Sequence, residues 1–299
     1  MTAPRIVREL PEADYHAEPA LSSGGAWTLA TECPALYWHR SPFNPAAAPS
    51  QNSKPMDIGT ALHLAVLEPD RLAARTVLVD ADDWRTKEAQ DRRDAAYAAD
   101  LAPLLTKDAG LVDRLADAIR SNKHAAGLLA GADTEVSYFW TADGIPCKAR
   151  ADVVCRDGRM ADLKASASAS PDFFRRRAFD DGHFLRDPFY RDGWEIAAGK
   201  RIAEYWFIVV SREEPHLVTT CRLEDRAIEW GRLKIRRAMA LFRRCRAAGV
   251  WPPYAPEPVT LGLPEWAEFR LADEEQAGRF DRDKIASADV RRGFDFLAP

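Results

Sequence analysis

The chain has 299 residues, 46% of them hydrophobic, and a formal net charge of −4. This is enough apolar material for one large domain or two small ones, while the negative balance leaves only local basic patches as a route to nucleic acid. No run of about 18 apolar residues marks a membrane span. The opening M-T-A-P-R-I-V-R lacks the apolar stretch of a secretory signal, and the five cysteines form no C-x-x-C pair. Neither a zinc knuckle nor a disulfide framework is therefore expected, and a reducing cytoplasm is the expected location.

In chain order, 1–55 reads as irregular with short helices. Ser22 and Ser23 offer a hydroxyl cap before the apolar run 26–30, Pro34 breaks the chain, and the Pro-, Ser- and Asn-rich stretch 41–55 reads as a loop. A helix is predicted over 57–68, with Asp57 as its cap and Pro69 just beyond its end. Its apolar residues run all round, so it should be buried, and His63 in its middle stands out. Residues 84–130 have helical composition. The period then shortens to two. Residues 135–140 (E-V-S-Y-F-W), 146–155 (P-C-K-A-R-A-D-V-V-C) and 159–164 (R-M-A-D-L-K) predict three antiparallel strands, joined at Asp143-Gly144 and Asp157-Gly158. A helix over 184–201 should break near Pro188. Residues 205–211 (Y-W-F-I-V-V-S) suit a strand in the middle of a sheet, 216–223 a last strand, and 224–248 a long amphipathic helix with Ile228, Ile235, Leu241 and Phe242 on its apolar stripe. The tail from 251 is Pro-rich, then charged.

The meander carries a chemical pattern. Asp162 and Lys164 lie two apart on one strand and so share a face. The turn at Asp157-Gly158 brings Asp152 opposite them. Two carboxylates and an ammonium on one patch can hold a hard divalent cation, bind a phosphate oxygen and activate a water. Lys164 could hold or deprotonate that water, or neutralise charge on the transition state. D-x-K also arises on ordinary half-exposed strands, so the triplet alone does not separate a site from a solvated surface.

The string K-A-R-A-D (148–152) before D-L-K (162–164) resembles the PD-(D/E)XK nuclease signature. Within that superfamily the chain resembles the phage and prophage exonuclease VIII (RecE-type, RecB-like) family. Y-H-A-E-P-A-L-S-S (15–23), G-T-A-L-H (59–63) with L-E-P-D (67–70), E-V-S-Y-F-W (135–140), D-L-K-A-S-A-S-A-S-P (162–171) and F-Y-R-D-G (189–193) are similar to its ordered motifs, over about 15–250. The resemblance implies an α/β (α+β) restriction-endonuclease-like core: a central mixed sheet with an antiparallel meander, flanked by helices. It divides the chain into an N-terminal segment 1–55, a nuclease core 56–250 with a helical insertion 80–130, and a C-terminal extension 251–299.

The resemblance also implies roles. His63, Asp152, Asp162 and the backbone carbonyl of Leu163 would bind Mg2+, with Mn2+ able to substitute. Lys164 would be the catalytic lysine, and Glu135 would act beside the metal or its water. Tyr190 falls on the tyrosine of the family's Q-x-x-x-Y helix motif, but Arg186 stands where that motif has Gln. Arg186 could bind a phosphate or pair with Asp187 or a ligand carboxylate. His63 could instead be a hydrogen-bonded core residue, Glu135 a partner of Arg150, and Tyr190 core packing. Arg175, Arg176 and Arg177 are the preferred phosphate contacts, ahead of the basic run from Arg232 to Arg246, which could be a solvated helix face. No iron–sulfur cluster is expected, because Cys33 lacks the three C-terminal cysteines of such relatives. The expected function is a 5′–3′ exonuclease on linear duplex DNA in phage-type recombination. Its expected partners are DNA ends, further copies of itself in a ring such as a tetramer, and a single-strand annealing recombinase, with no membrane involved. The alternatives are a structure-specific endonuclease on the same fold, or a catalytically weakened DNA- or protein-binding relative.

Overall fold

The computed structural model describes residues 3–47 and 54–281. The chain opens with β1 (Arg5–Val7), α1 (Glu12–Ala17), α2 (Ser23–Thr31) and α3 (Pro34–Arg40), followed by α4 (Lys54–Leu67), α5 (Pro69–Arg75), β2 (Thr76–Val79), α6 (Lys87–Ala98) and β3 (Ala102–Leu105). Helices α7 (Thr106–Ser121) and α8 (Lys123–Leu129) lead into the meander β4 (Asp133–Ala142), β5 (Ile145–Val154) and β6 (Arg159–Ser166). Then come α9 (Pro171–Asp180), α10 (His183–Ala198), β7 (Glu204–Ser211), β8 (Val218–Cys221), α11 (Asp225–Ala248) and α12 (Glu265–Gln276). Two compact units divide between Tyr254 and Ala255. All elements but α12 belong to the first, and α12 belongs to the second.

Local chemistry sets the turns of the main sheet. Asp143 and Gly144 both take positive φ and close the β4–β5 hairpin, while Gly158 at φ 85° closes the next turn; these are conformations that Asn, Asp and Gly tolerate best. The six strands lie in the order β1-β4-β5-β6-β7-β8. Only β6 and β7 run parallel, and the crossover between them carries α9 and α10, as parallel pairing demands. One face of the sheet buries Tyr138, Ala149, Ala151, Tyr205 and Phe207 against α2, α10 and α11. The other buries Val153, Ala161, Leu163 and Ile208 with Leu62 of α4 and Leu115 of α7. This is the mixed, helix-flanked sheet that the sequence predicts.

Several local expectations change. The N-terminal segment contributes an edge strand, with β1 paired to β4. Within the predicted helical segment, β3 pairs in parallel with β2; its four buried residues A-P-L-L are too short a run for periodicity to separate strand from helix. Asp57 lies inside α4 rather than capping it, and its carboxylate accepts the Tyr97 hydroxyl at 2.6 Å. Ser22 does cap α2, accepting the Gly25 N–H at 3.2 Å.

Helix α10 does not break at Pro188. Proline removes the N–H that would bond the Phe184 carbonyl. That carbonyl faces Gly231 of α11, where a Cβ would stand only 2.1 Å from the oxygen. The absent hydrogen bond is absorbed by a close helix crossing that only glycine admits.

Candidate metal centre

Four elements converge beside β5. On that strand Ala151 packs into the first core and Val153 into the second, although residues two apart normally share a face. The strand therefore changes face at Asp152. The change is matched on β4. The register runs Thr134↔Val153 and Val136↔Ala151, and between these pairs Glu135 takes φ 50°, an uncommon conformation for a residue with a Cβ. Both carboxylates thus meet His63, which α4 brings over the sheet. The three side chains offer ligand atoms within 4.8 Å of one another.

The contacts are specific. His63 Nδ1 lies 3.4 Å from Glu135 Oε1, and its Nε2 lies 3.1 Å from the Leu163 carbonyl and 3.8 Å from Asp152 Oδ2. The Asp152 carboxylate accepts the Leu163 N–H at 2.8 Å, which fixes β6 against β5. Burial pushes the imidazole pKa of His63 down, but Asp152 and then Glu135 outweigh it and raise it to about 9. Burial, then the Asp162 carboxylate, pushes Asp152 up to about 6. A crowded carboxylate pair stabilises positive charge between its members.

Asp162 lies beside this group, not in it. Its carboxylate is almost wholly buried, with Lys164 ion-paired to Oδ2 and Arg186 donating to Oδ1 at 3.1 Å. Burial alone would raise its pKa; Lys164 and Arg186 instead hold it well below the usual carboxylate range. Lys164 Nζ also donates to the Leu163 carbonyl at 3.0 Å. That carbonyl therefore faces both His63 and Lys164. On α10 the Arg186 guanidinium lies 6.0 Å from the Tyr190 ring centroid, and the Tyr190 carbonyl accepts the Tyr138 hydroxyl at 2.9 Å.

Of the residues singled out from sequence, His63, Glu135, Asp152 and the Leu163 carbonyl come together, with Asp162, Lys164 and Arg186 adjoining and Tyr190 behind them. Arg175, Arg176 and Arg177 do not line the cleft. On α9, Arg175 pairs with Asp172 and Arg177 with Asp181, while Arg176 donates to the Asp172 carbonyl. The cleft beside His63 and Glu135, about 520 Å³, is walled instead by Arg8, Arg71, Arg75 and Arg150. Sequence reading missed these four as site residues. Only the i,i+4 spacing of Arg71 and Arg75, which puts them on one face of α5, could have drawn attention to them.

The donors suit a divalent ion. Two carboxylates, one imidazole and a carbonyl combine hard oxygens with one nitrogen, a set suited to magnesium or manganese and lacking the thiolates that softer ions select. Opposite ligands of an octahedral ion at 2.0–2.1 Å stand about 4 Å apart, so the 4.8 Å grouping needs only a small closure. Binding would require neutral His63, and the imidazolium proton would leave as the ion's charge replaced it.

A mixed sheet whose central strands carry Asp152 and then Asp162-Leu163-Lys164 defines a PD-(D/E)XK-like domain. The chain belongs to the family described as "PDDEXK-like domain of unknown function (DUF3799)", whose model matches residues 31–258. Among solved structures, a protein of Eubacterium rectale named "Putative exonuclease" is similar in fold. It is 11% identical, with 88% of this chain and 98% of that one covered at a TM-score of 0.62. The protein SSO0001 is 15% identical, with 70% of this chain and 98% of that one covered at a TM-score of 0.27. No curated protein matches the chain.

Proposed function

We propose that this protein is a metal-dependent deoxyribonuclease, and that it acts as an exonuclease on linear duplex DNA. The observation that carries the reading is the meeting of His63, Glu135, Asp152 and the Leu163 carbonyl beside the Asp162–Lys164 pair. A magnesium or manganese ion held there would polarise a phosphate oxygen and lower the pKa of a water. The chain's own groups supply the rest. Lys164, held by Asp162 and the Leu163 carbonyl, places an ammonium where it can bond a phosphate oxygen and offset charge that builds in the transition state. Glu135 is placed to accept a proton from a water at the same patch.

The cleft supplies the grip. Arg8, Arg71 and Arg75 reach phosphates only by leaving Asp133, Glu68 and Glu12 or Asp100, with which they pair. Binding through them therefore exchanges ion pairs and should depend on salt. The exonuclease form, its 5′–3′ direction, a role in phage-type recombination, a ring-shaped homo-oligomer and a single-strand annealing partner are supported by the resemblance to exonuclease VIII. The fold likeness to the protein named "Putative exonuclease" agrees with the exonuclease form alone.

Arg186 favours a second reading. Its bond to Asp162 would make the chain a weakened relative that binds DNA without cutting it. One assay separates the two. Linear and closed circular duplexes are incubated with the protein in magnesium, manganese or EDTA, alongside Asp152→Asn. Loss of linear DNA alone, abolished by EDTA and by the substitution, supports the exonuclease. Cutting of closed circles assigns an endonuclease instead. Bound but uncut DNA under every metal refutes the nuclease reading.

A further inference from the structure

Lys148 stands in the K-A-R-A-D string, yet nothing in the chemistry above uses it. Ala149 and Ala151 enter the first core, so Lys148, Arg150 and Asp152, each two apart, form one row on the other side of β5. Asp152 ends that row in the candidate metal group. The two cations before it hold α1. Lys148 Nζ donates to the carbonyls of Tyr15, His16 and Glu18 at 2.7, 2.9 and 2.9 Å, and Arg150 donates to the Leu10 carbonyl at 2.7 Å. Both cations also lie over the Tyr15 ring, 4.9 and 4.6 Å from its centroid. Helix α1 has six residues and no side-chain cap at Pro11, too short a helix to persist by itself. The chain is anchored on either side of it, where β1 pairs with β4 and where Leu21 pairs with Cys147. Lys148 fixes the stretch between. That stretch walls the cleft with Glu12, Tyr15 and His16, and Glu12 lies 3.8 Å from the cleft cation Arg75.

We propose that Lys148 is a positioning residue for DNA: from beneath the cleft it holds α1 in place as the cleft's wall, and so sets affinity without touching DNA or metal. The inference rests on the reading of this cleft as the DNA site. Lys148 is 4% exposed, and the three donors of its ammonium are matched by three carbonyls, so it has none left for a phosphate. Removing it strips the last carbonyls of α1 of the cation that satisfies them, and α1 then leaves the sheet part of the time. DNA binding must first return it. With the wall in place about a tenth of the time, apparent affinity falls about tenfold. Once DNA is bound the wall is docked, and cleavage at the metal group proceeds at the wild-type rate.

The test separates affinity from rate. Full-length wild type and Lys148→Met are compared at fixed pH and at a temperature where both are folded. Anisotropy of a fluorescein-labelled linear duplex in EDTA gives Kd across a range of salt, single-turnover cleavage at saturating protein in magnesium gives the rate, and amide hydrogen exchange follows residues 10–20. The expected result for Lys148→Met is a Kd raised about tenfold, an unchanged salt slope, an unchanged saturated rate, and faster exchange confined to 10–20. Lys148→Gln, which keeps two donors, should fall between the two proteins. Wild-type affinity in Lys148→Met overturns the inference. So does a salt slope smaller by about 1, which would make Lys148 itself a phosphate contact, and so does wild-type exchange over 10–20. If Lys148→Met does not fold, Lys148→Gln is judged by the same three criteria. A wild type that neither binds nor cuts DNA overturns the DNA reading and the inference together. A wild type that binds without cutting overturns the nuclease reading alone, and affinity and exchange still decide the inference.

Discussion

Gly231→Ala tests the helix crossing that carries Arg186. An added Cβ would stand 2.1 Å from the Phe184 carbonyl oxygen and 2.9 Å from Pro188 Cγ. A carbon–oxygen contact relaxes only near about 3.3 Å, so α10 and α11 must part by about 1 Å. The obstructing atoms are backbone and a proline ring, which cannot rotate aside. Overpacking of this kind costs about 1–3 kcal/mol, and a rigid obstacle puts it at the upper end. Alanine returns about 1 kcal/mol as the better helix former. The net loss is therefore about 2 kcal/mol, a fall in Tm of about 4–8 °C for a domain of this size. Thermal melting and urea unfolding of the two proteins measure it. Because α10 also bears Arg186, the displaced helix should loosen the bond to Asp162 as well. A Gly231→Ala protein that melts at or above the wild-type temperature, as helix propensity alone would give, refutes the crossing.

Three other outcomes follow from particular residues. At an ordinary strand position valine is more stable than glycine by up to about 1 kcal/mol; at position 135, where φ is 50°, the order should reverse, with Glu135→Gly more stable than Glu135→Val by about 1–2 kcal/mol. Chemical denaturation of both variants checks this, and valine remaining the more stable would show that no strain is stored there. Lys148 donates to the carbonyls of Tyr15, His16 and Glu18 at 2.7, 2.9 and 2.9 Å, so Lys148→Met should cost about 3 kcal/mol by leaving them unpaired. Burial pulls its ammonium down to about 8, below the unfolded value near 10.4. The folded chain then binds fewer protons than the unfolded between those values, and stability rises with pH. The gap between wild type and Lys148→Met should widen over that window, and a flat gap counts against the shift. Replacing Arg71 and Arg75 together by alanine should weaken DNA binding for every sequence and shrink the slope of log affinity against log salt by about 1–2. An unchanged slope would place the DNA elsewhere.

Much of the sheet was legible because its signals are local. Two Asp-Gly turns fix the meander, and alternation along β4 and β5 names the faces. From that meander alone the meeting of Asp152 with Asp162 and Lys164 could be drawn, and His63 stood out by being polar in an apolar helix. What escaped depends on tertiary partners. The Arg175–Arg177 run does not line the cleft beside His63, because charge along a sequence carries no direction; on α9 Arg175 and Arg177 pair with Asp172 and Asp181. Arg8 follows β1, which joins the sheet edge beside β4, a strand that the irregular look of 1–55 concealed, while Arg150 reaches the cleft from β5 itself. Pro188 read as a break because the relief for its missing N–H lies in another helix, at Gly231.

The least legible feature is the one that builds the site. A regular β4–β5 pair would alternate carboxylate and apolar side chains across the sheet, leaving Thr134 and Val153 on the side away from Glu135 and Asp152. Instead the Thr134 hydroxyl donates to the Leu67 carbonyl at the end of α4, and Val153 packs in the core beneath α4. Consecutive side chains thus point the same way on both strands. His63 and Glu135 line the open cleft while Asp152 lies deeper, and the side chains of His63, Glu135 and Asp152 are 30, 19 and 10% exposed. Partial drying strengthens their mutual field, which is why Asp152 and Glu135 raise the His63 imidazole although burial alone would lower it. Strain of about 1–3 kcal/mol at a residue such as Glu135 persists only where the surroundings fix it. Here they do: the register on both sides of Glu135 is held by β5, and the carboxylate is held by His63. The deformation that places a donor set at the boundary between cleft and core is therefore a property of two paired strands together, and neither strand's sequence contains it alone.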